Sequence, residues 1–288
     1  MDNITGKTVA ITGAARGIGY ATATALSTRG ARVVIGDRDV VQLDSAVKTL
    51  AQRGQVTGHP LDVSDRRSFA DFLDRARSDG AGRIDVLINN AGVMPVGPFL
   101  DQPEQAFRSA IEVNFYGVLT GCQLVLPEMV ARGCGHIVNI ASMAGVMAIP
   151  GQVLYAGTKY AVVGLSTALA DEFAPHGVEV SVVMPPFTQT ELIAGTASSG
   201  LGKPVQPDAI ADAIVAVLNR PRTHVALPQV TRHFGPLVSM LGPRARRWVN
   251  RRVGADRLFL DFDVEARKSY EQRAQSATGV VCDSEEAK

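Results

Sequence analysis

The chain alternates between short, nearly all-apolar runs and longer stretches in which apolar residues recur every three or four positions. Residues 7–12, 31–36, 55–61, 84–88, 137–142, 178–184 and 223–228 are runs of the first kind. Runs this short and this apolar predict strands buried on both faces. Helical spacing predicts helices over 18–28, 64–78, 103–130, 155–174 and 208–218. Gly30 reads as the stop of the first helix, and Ser64 as the N-cap of the second. Gly117 and Gly121 interrupt the long segment 103–130 and predict a bend or close packing there. Strands alternating with helices imply an α/β chain, a doubly wound parallel sheet with helices on both faces. Residues 187–206 lose periodicity and are rich in Thr, Ser and Gly, as expected of a mobile loop over the carboxyl ends of the strands.

Two stretches carry candidate chemistry. The first strand runs straight into Gly13-Ala14-Ala15-Arg16-Gly17-Ile18-Gly19, a helix follows, and the second strand stops at Asp37. Strand, glycine-rich turn, helix, strand and acidic residue, in that order, form the signature of a dinucleotide-binding unit. Glycines let the backbone approach a pyrophosphate, which the helix N-terminus meets with its N–H groups. Asp37 lies 24 residues after Gly13, where a carboxylate accepts hydrogen bonds from an adenosine ribose. The second stretch is Tyr155-Ala156-Gly157-Thr158-Lys159, a Tyr and a Lys one helical turn apart on one face. An ammonium near a phenol favours the phenolate, so the Tyr pKa is expected to fall from about 10. The strand over 137–142 delivers Ser142 at its carboxyl end. Ser, Tyr and Lys together can polarise a carbonyl oxygen and exchange a proton with it.

Composition narrows the setting. Net charge is +1, with 29 basic and 28 acidic side chains in 288 residues, so no global field points to nucleic acid. Cys122, Cys134 and Cys282 are odd in number and lack a C-x2-C spacing, which predicts neither a metal site nor a disulfide framework. Residues 1–7 lack the basic start and apolar stretch of a signal peptide, and no run of about 18 apolar residues occurs. The expectation is a cytoplasmic protein.

With these residues laid out, residues 4–228 resemble the short-chain dehydrogenase/reductase family. The matches are Thr12-Gly13-x3-Gly17-x-Gly19, Asp62-Val63, Asn89-Asn90-Ala91-Gly92, Asn114, Ser142 and Tyr155-x3-Lys159. The resemblance implies a Rossmann-type fold and a catalytic group of Asn114, Ser142, Tyr155 and Lys159. Tyr155 would exchange the proton with the substrate oxygen, Ser142 would hydrogen-bond that oxygen, and Lys159 would lower the Tyr pKa and bind the nicotinamide ribose. Asn114 would anchor a water behind Lys159. Gly13, Gly17 and Gly19, with Arg16 and Ile18 between them, would line the pyrophosphate. Asp62 and Val63 would meet the adenine, while Asn89, Ala91 and Gly92 would pass beside the riboses. Pro185, Thr188 and Thr190 would contact the carboxamide end. The family's usual Pro-Gly is here Pro185-Pro186, which removes a backbone donor. Family members commonly form homodimers or homotetramers, and the two long helices are the expected interface.

The expected cofactor is NAD, because Asp37 would repel a 2′-phosphate; Arg16 and Arg38 keep NADP as the alternative. Residues placed near the substrate are Met94, Val96, Phe99, Met143, Val146, Met147, Ile149, Val153, Leu154, Phe187, Leu192 and Ile193. They predict a hydrophobic secondary alcohol or ketone of steroid, retinoid or fatty-chain type. An NADPH-dependent biosynthetic ketoreductase and a non-catalytic dinucleotide-binding protein stand as the other readings. Residues 1–228 are expected to be the catalytic domain, 229–274 a helical extension and 275–288 a disordered tail. Within the extension, 234–253 sets Arg244, Arg246, Arg247, Arg251 and Arg252 beside Trp248. That segment reads either as a helix packed over the pocket, its arginines solvated or paired with Asp256, Asp261, Asp263 and Glu265, or as a basic helix making peripheral membrane contact.

Overall fold

The computed structural model describes residues 3–196, 203–227, 241–252 and 254–275. Strands β1 (Thr8–Thr12), β2 (Arg32–Asp37) and β3 (Val56–Pro60) alternate with helices α1 (Gly17–Ser27) and α2 (Val40–Leu50). Helix α3 (Arg66–Asp79) leads to β4 (Val86–Asn89), followed by α4 (Glu104–Ile111) and α5 (Gly117–Arg132). Then come β5 (Gly135–Ile140), α6 (Val153–Phe173), β6 (Val178–Met184), α7 (Pro207–Asn219) and β7 (His224–Ala226). All seven strands pair in parallel, in the order β3-β2-β1-β4-β5-β6-β7. The chain therefore reverses its winding between β1 and β4, where Val9 pairs with Val33 on one side and Val86 on the other. Outside the carboxyl ends of strands at such a switch point, an open sheet leaves a crevice.

Both faces of the sheet are buried. Along β1, Val9 and Ile11 enter the core beneath α1, α2 and α7, whereas Ala10 enters the core beneath α3, α5 and α6. The same division holds for β4, with Leu87 on one side and Val86 and Ile88 on the other. Period-two alternation of apolar residues on a twice-covered strand produces the unbroken runs in the sequence.

Several predicted bounds shift for local reasons. Helix α3 begins later than expected because the Asp65 carboxylate, not Ser64, caps it by accepting from Arg67 N at 2.8 Å. The segment 103–130 is two helices joined by a π turn over Glu112–Tyr116, with Gly117 packed on Val63 and Gly121 on Asn89 and Phe69. Helix α2 has no counterpart among the predicted helices, although Leu43, Ala46 and Leu50 form its buried stripe and Asp39 caps it. Residues 187–206 hold a short 3-10 turn, Glu191–Ile193, and a bridge between Thr188 and Val205; 197–202 lie outside the described residues. Helix α6, continued to His176, has the length and apolarity of a membrane-spanning helix. It packs along β6 and buries Lys159, as a core helix does.

The C-terminal extension divides. Helix α8 (Pro243–Arg252) stands almost wholly exposed, with Asn250 its buried residue. Helix α9 (Val264–Gln275) and the turn before it pack onto the carboxyl end of the sheet, burying Ala255, Leu258, Phe259, Arg267 and Tyr270. Residues 228–240, Val253 and 276–288 lie outside the described residues, and with them all of the tail expected to be disordered except Gln275, which ends α9.

Candidate active site

The glycine turn is held by the end of β4. Thr12 Oγ1 accepts from Asn90 N and Ala91 N, both at 3.0 Å, and Asn90 Nδ2 donates to Thr12 O at 2.9 Å and Gly13 O at 2.8 Å. Gly13 has φ +62°, and a Cβ there would lie 2.7 Å from Ala91 Cα. Only glycine satisfies both the backbone and the space. Asp37, at the end of β2, accepts from Ala15 N at 3.1 Å, so its carboxylate is anchored against the same turn. The N-terminus of α1 has no side-chain cap; its N-cap residue, Arg16, turns outward to Asp39 and to Glu191 at 2.9 Å. Uncapped N–H groups at a helix start are an anion site.

A cavity of about 1100 Å³ runs from this turn to the other end of the site. Gly13, Arg16, Gly17, Ile18, Asp37, Arg38, Asp62, Val63, Ala91 and Gly92 line one part, and Pro185, Thr188 and Thr190 line the middle. Two expected contacts do not reach it. Gly19 lies beneath the turn, where a Cβ would meet Gly13 O and Asn90 Nδ2 at 2.6 Å; it brings α1 close to the strand. Asn89 points the other way, into the buried layer under α5 and α6, donating to Asn139 Oδ1 at 2.9 Å. Its neighbour Asn90, on the opposite strand face, is the residue that lines the cavity.

Tyr155 and Lys159 project from α6 into the cavity beside Ser142. The Tyr155 hydroxyl hydrogen-bonds Ser142, and Ser142 Oγ also accepts from Ala144 N at 3.1 Å, which orients it. Lys159 Nζ donates to Ile140 O at 2.9 Å and stands 5.6 Å from the centre of the Tyr155 ring. The expected fall in the Tyr pKa is not what this arrangement gives. Burial pushes the Tyr155 phenol up to about 12, against the opposing pull of the Ser142 hydrogen bond. Burial likewise lowers the Lys159 ammonium to about 8. Desolvation outweighs the neighbouring cation. Asn114 sits in the π turn, fully buried and off the cavity wall. Its amide accepts from Val93 N and donates to Val93 O, both at 2.8 Å, and reaches Thr158 Oγ1 at 3.1 Å. It ties the loop after β4 to α6. Gly92 fills the gap, 3.2 Å (from its Cβ position) from Asn114 Oδ1 and 3.6 Å from Lys159 Nζ.

Beyond Tyr155 the wall turns apolar. Met94, Met143, Met147, Ile149, Phe187, Leu192 and Ile193 line it as expected; Val96, Phe99, Val146, Val153 and Leu154 do not. Phe99 and Val153 are instead about half exposed. Four further residues, Gln152, Leu258, Phe259 and Tyr270, line it without a signal in the sequence.

A family model for short chain dehydrogenases matches residues 7–199. The chain belongs to that family. An uncharacterized oxidoreductase of Staphylococcus saprophyticus is 37% identical over 232 residues, covering 77% of this chain and 93% of the relative. Among solved structures, a short chain dehydrogenase/reductase from Burkholderia phymatum in complex with NAD superposes with a TM-score of 0.75 at 26% identity, over 83% of this chain and 95% of its own. A gluconate 5-dehydrogenase from Burkholderia cenocepacia in complex with NADP and tartrate gives 0.72 at 25%, over 80% and 98%. The residues here fit the nicotinamide dinucleotide these two enzymes hold. A backbone approachable at Gly13, an uncapped helix start and a carboxylate at the end of β2 are the features such a group needs. The protein is thus an oxidoreductase of the short-chain dehydrogenase family, acting on CH–OH donors.

Proposed function

We propose that the protein interconverts an apolar secondary alcohol and its ketone with NAD, and that Tyr155 is the general acid/base. The carrying observation is the Tyr155 hydroxyl, bonded to Ser142 where the glycine-lined part of the cavity gives way to its methionine- and phenylalanine-lined part. A bound nicotinamide would supply the acceptor or donor of a hydride, so that alcohol and NAD⁺ would balance ketone, NADH and one released proton. The chain's own residues handle the proton and the geometry. Tyr155 Oη gives its proton to the carbonyl oxygen in reduction and recovers it in oxidation, while Ser142 Oγ donates a hydrogen bond to the same oxygen. A phenol held well above neutral pH keeps that proton until an oxygen with growing negative charge draws it off. Lys159, still cationic at pH 7, offsets part of the cost of a transient phenolate.

For the cofactor, Gly13, Gly17 and the start of α1 would hold the pyrophosphate, Asp37 the adenosine ribose, and Asp62 and Val63 the adenine. The choice of NAD rests on charge. Arg16 is engaged by Asp39 and Glu191, so a 2′-phosphate would meet the carboxylates of Asp37 and Asp39. Like charges at such a contact cost several kcal/mol. Titration of nicotinamide fluorescence is expected to show NADH bound at least about tenfold tighter than NADPH, a gap that follows from that repulsion. Asp37→Asn, which keeps an acceptor for Ala15 N, should narrow the gap. Tighter NADPH binding by the wild type would assign Arg38 to the phosphate and favour a ketoreductase.

We also propose that α8 contacts anionic lipid. Its five arginines have no acidic residue within the helix, and three of the tail carboxylates are engaged elsewhere, Asp261 with Arg257 at 2.7 Å, Asp263 as the cap of α9 and Glu265 with Lys268 at 3.7 Å. Trp248 is 62% exposed, with Arg252 5.8 Å over its ring. Arginines near an anionic surface contribute about 1 kcal/mol each. Sedimentation with phosphatidylserine-containing vesicles, lost on Arg246→Glu/Arg247→Glu, is expected; equal recovery on neutral and anionic vesicles would refute the contact.

A further inference from the structure

The apolar end of the cavity is built by the chain's own C-terminus. Residues 254–275 meet three loops there, and each loop offers a glycine at the contact. A Cβ at Gly97 would lie 3.0 Å from the Phe262 ring, one at Gly151 2.5 Å from the Phe259 backbone, and one at Gly195 2.4 Å from Asp263 O. Asp263 N in turn donates to Gly195 O at 2.7 Å. At the centre is Arg267, with no exposed surface at all. Its guanidinium donates to Leu192 O at 3.0 Å, to Ala194 O at 3.1 Å and to Met94 O. Glu271 lies 3.2 Å from its Nε, and the Tyr270 ring packs under it at 4.7 Å. Tyr270 Oη accepts from Met94 N at 2.7 Å. The backbone of Met94 is therefore gripped on both sides, its N–H by Tyr270 and its carbonyl by Arg267.

We propose that Arg267 is a positioning residue for the substrate: one buried guanidinium fixes the Met94 loop and the 191–196 loop relative to each other, and Tyr270 is the wall residue that limits which alcohols fit. The choice of side chain supports this. Burying a guanidinium is costly and lowers its pKa, and an aliphatic side chain would fill the volume without that cost. What an aliphatic residue lacks is direction. A planar fork with five donors fixes the angle between two irregular loops whose carbonyls at Met94, Leu192 and Ala194 have no other partner among the described residues. Three cavity-lining side chains, Met94, Leu192 and Ile193, hang from the backbone so fixed or lie next to it.

The inference rests on reading the apolar end as the substrate subsite, and the test separates the two. Arg267→Met, Arg267→Lys and Tyr270→Ala are made in the full chain and compared by hydrogen exchange, NADH titration and kinetics on secondary alcohols of increasing length. Arg267→Met is expected to speed exchange in both loops while the strands stay protected. NADH affinity should hold within about twofold, with KM for the preferred alcohol raised about tenfold or more and kcat changed far less. Tyr270→Ala should shift preference to bulkier alcohols. If Arg267→Met does not fold, Arg267→Lys should give the same pattern more weakly. Unchanged exchange in the two loops, or a parallel loss of strand protection and NADH affinity, would overturn the positioning role. If the wild type oxidises no apolar alcohol, the substrate reading fails while the exchange comparison still decides whether Arg267 holds the loops.

Discussion

Tyr155→Phe should lower turnover by about 10²–10⁴-fold, the usual worth of a positioned general acid/base, while leaving NADH affinity and melting temperature nearly unchanged. The substitution deletes one oxygen from a side chain that is 7% exposed and bordered by Met94, Ala144 and Ile149, so the ring's packing survives. The hydrogen bond lost is the one to Ser142, whose Oγ keeps Ala144 N as a partner. Little folding energy therefore depends on the hydroxyl, and nearly all of the effect should appear in the chemical step. Single-turnover rates at saturating cofactor would measure it. A variant that retained wild-type turnover would remove Tyr155 from the proton path and assign the acid/base role to another group. A variant that unfolded would show that the Ser142 bond carries stability the geometry does not reveal.

Lys159→Met should be nearly as damaging to turnover, yet close to neutral for the fold. The folded ammonium has its pKa lowered from 10.5 to about 8 by burial. Between those values the unfolded chain binds the proton and the folded chain does not, so stability rises with pH across that window. Below pH 8 both states are protonated and the burial cost is present in full. Methionine removes that cost but strands Ile140 O, a loss of about 1–3 kcal/mol. At pH 7 the two effects nearly cancel. Denaturant melts at pH 7, 8, 9 and 10 should show the wild type gaining stability relative to the variant above pH 8; the difference isolates Lys159 from the buried Cys122 thiol and Tyr155 phenol, which both proteins share and which lower stability at the alkaline end. A difference that did not change with pH would mean that the ammonium is better solvated than its 4% exposure suggests. A residue that costs folding energy and serves the proposed chemistry is where activity and stability are expected to oppose each other.

Much of this was legible in the residues themselves. Strand β6 falls where its apolar run lies, and the glycine turn, Asp37, Ser142, Tyr155 and Lys159 all face the one cavity. What escaped did so for identifiable reasons. The π turn at Glu112–Tyr116 adds a residue to one helical turn without disturbing the apolar spacing enough to announce itself. Asn89 and Asn90 are chemically identical, and only strand alternation separates them: Leu87 and Asn89 share the α5 face, whereas Asn90 turns toward Thr12 and Gly13. The expectation for the Tyr155 pKa weighs a cation against a phenol but not the burial of both. Arg267 gives no signal at all. Its contacts with Met94 span 173 positions, and an arginine in a polar helix reads as solvated.

The late position of Arg267 also orders events during synthesis. A chain leaves the ribosome from its N-terminus, so Ser142, Tyr155 and Lys159 are made well before α9 exists. The parallel sheet and its dinucleotide crevice draw on residues before position 227. The enclosure around Met94 has to wait for residues 254–275. The groups of the proposed chemistry thus precede their container, and the growing protein passes through a stage with an oily cleft that α9 has yet to cover.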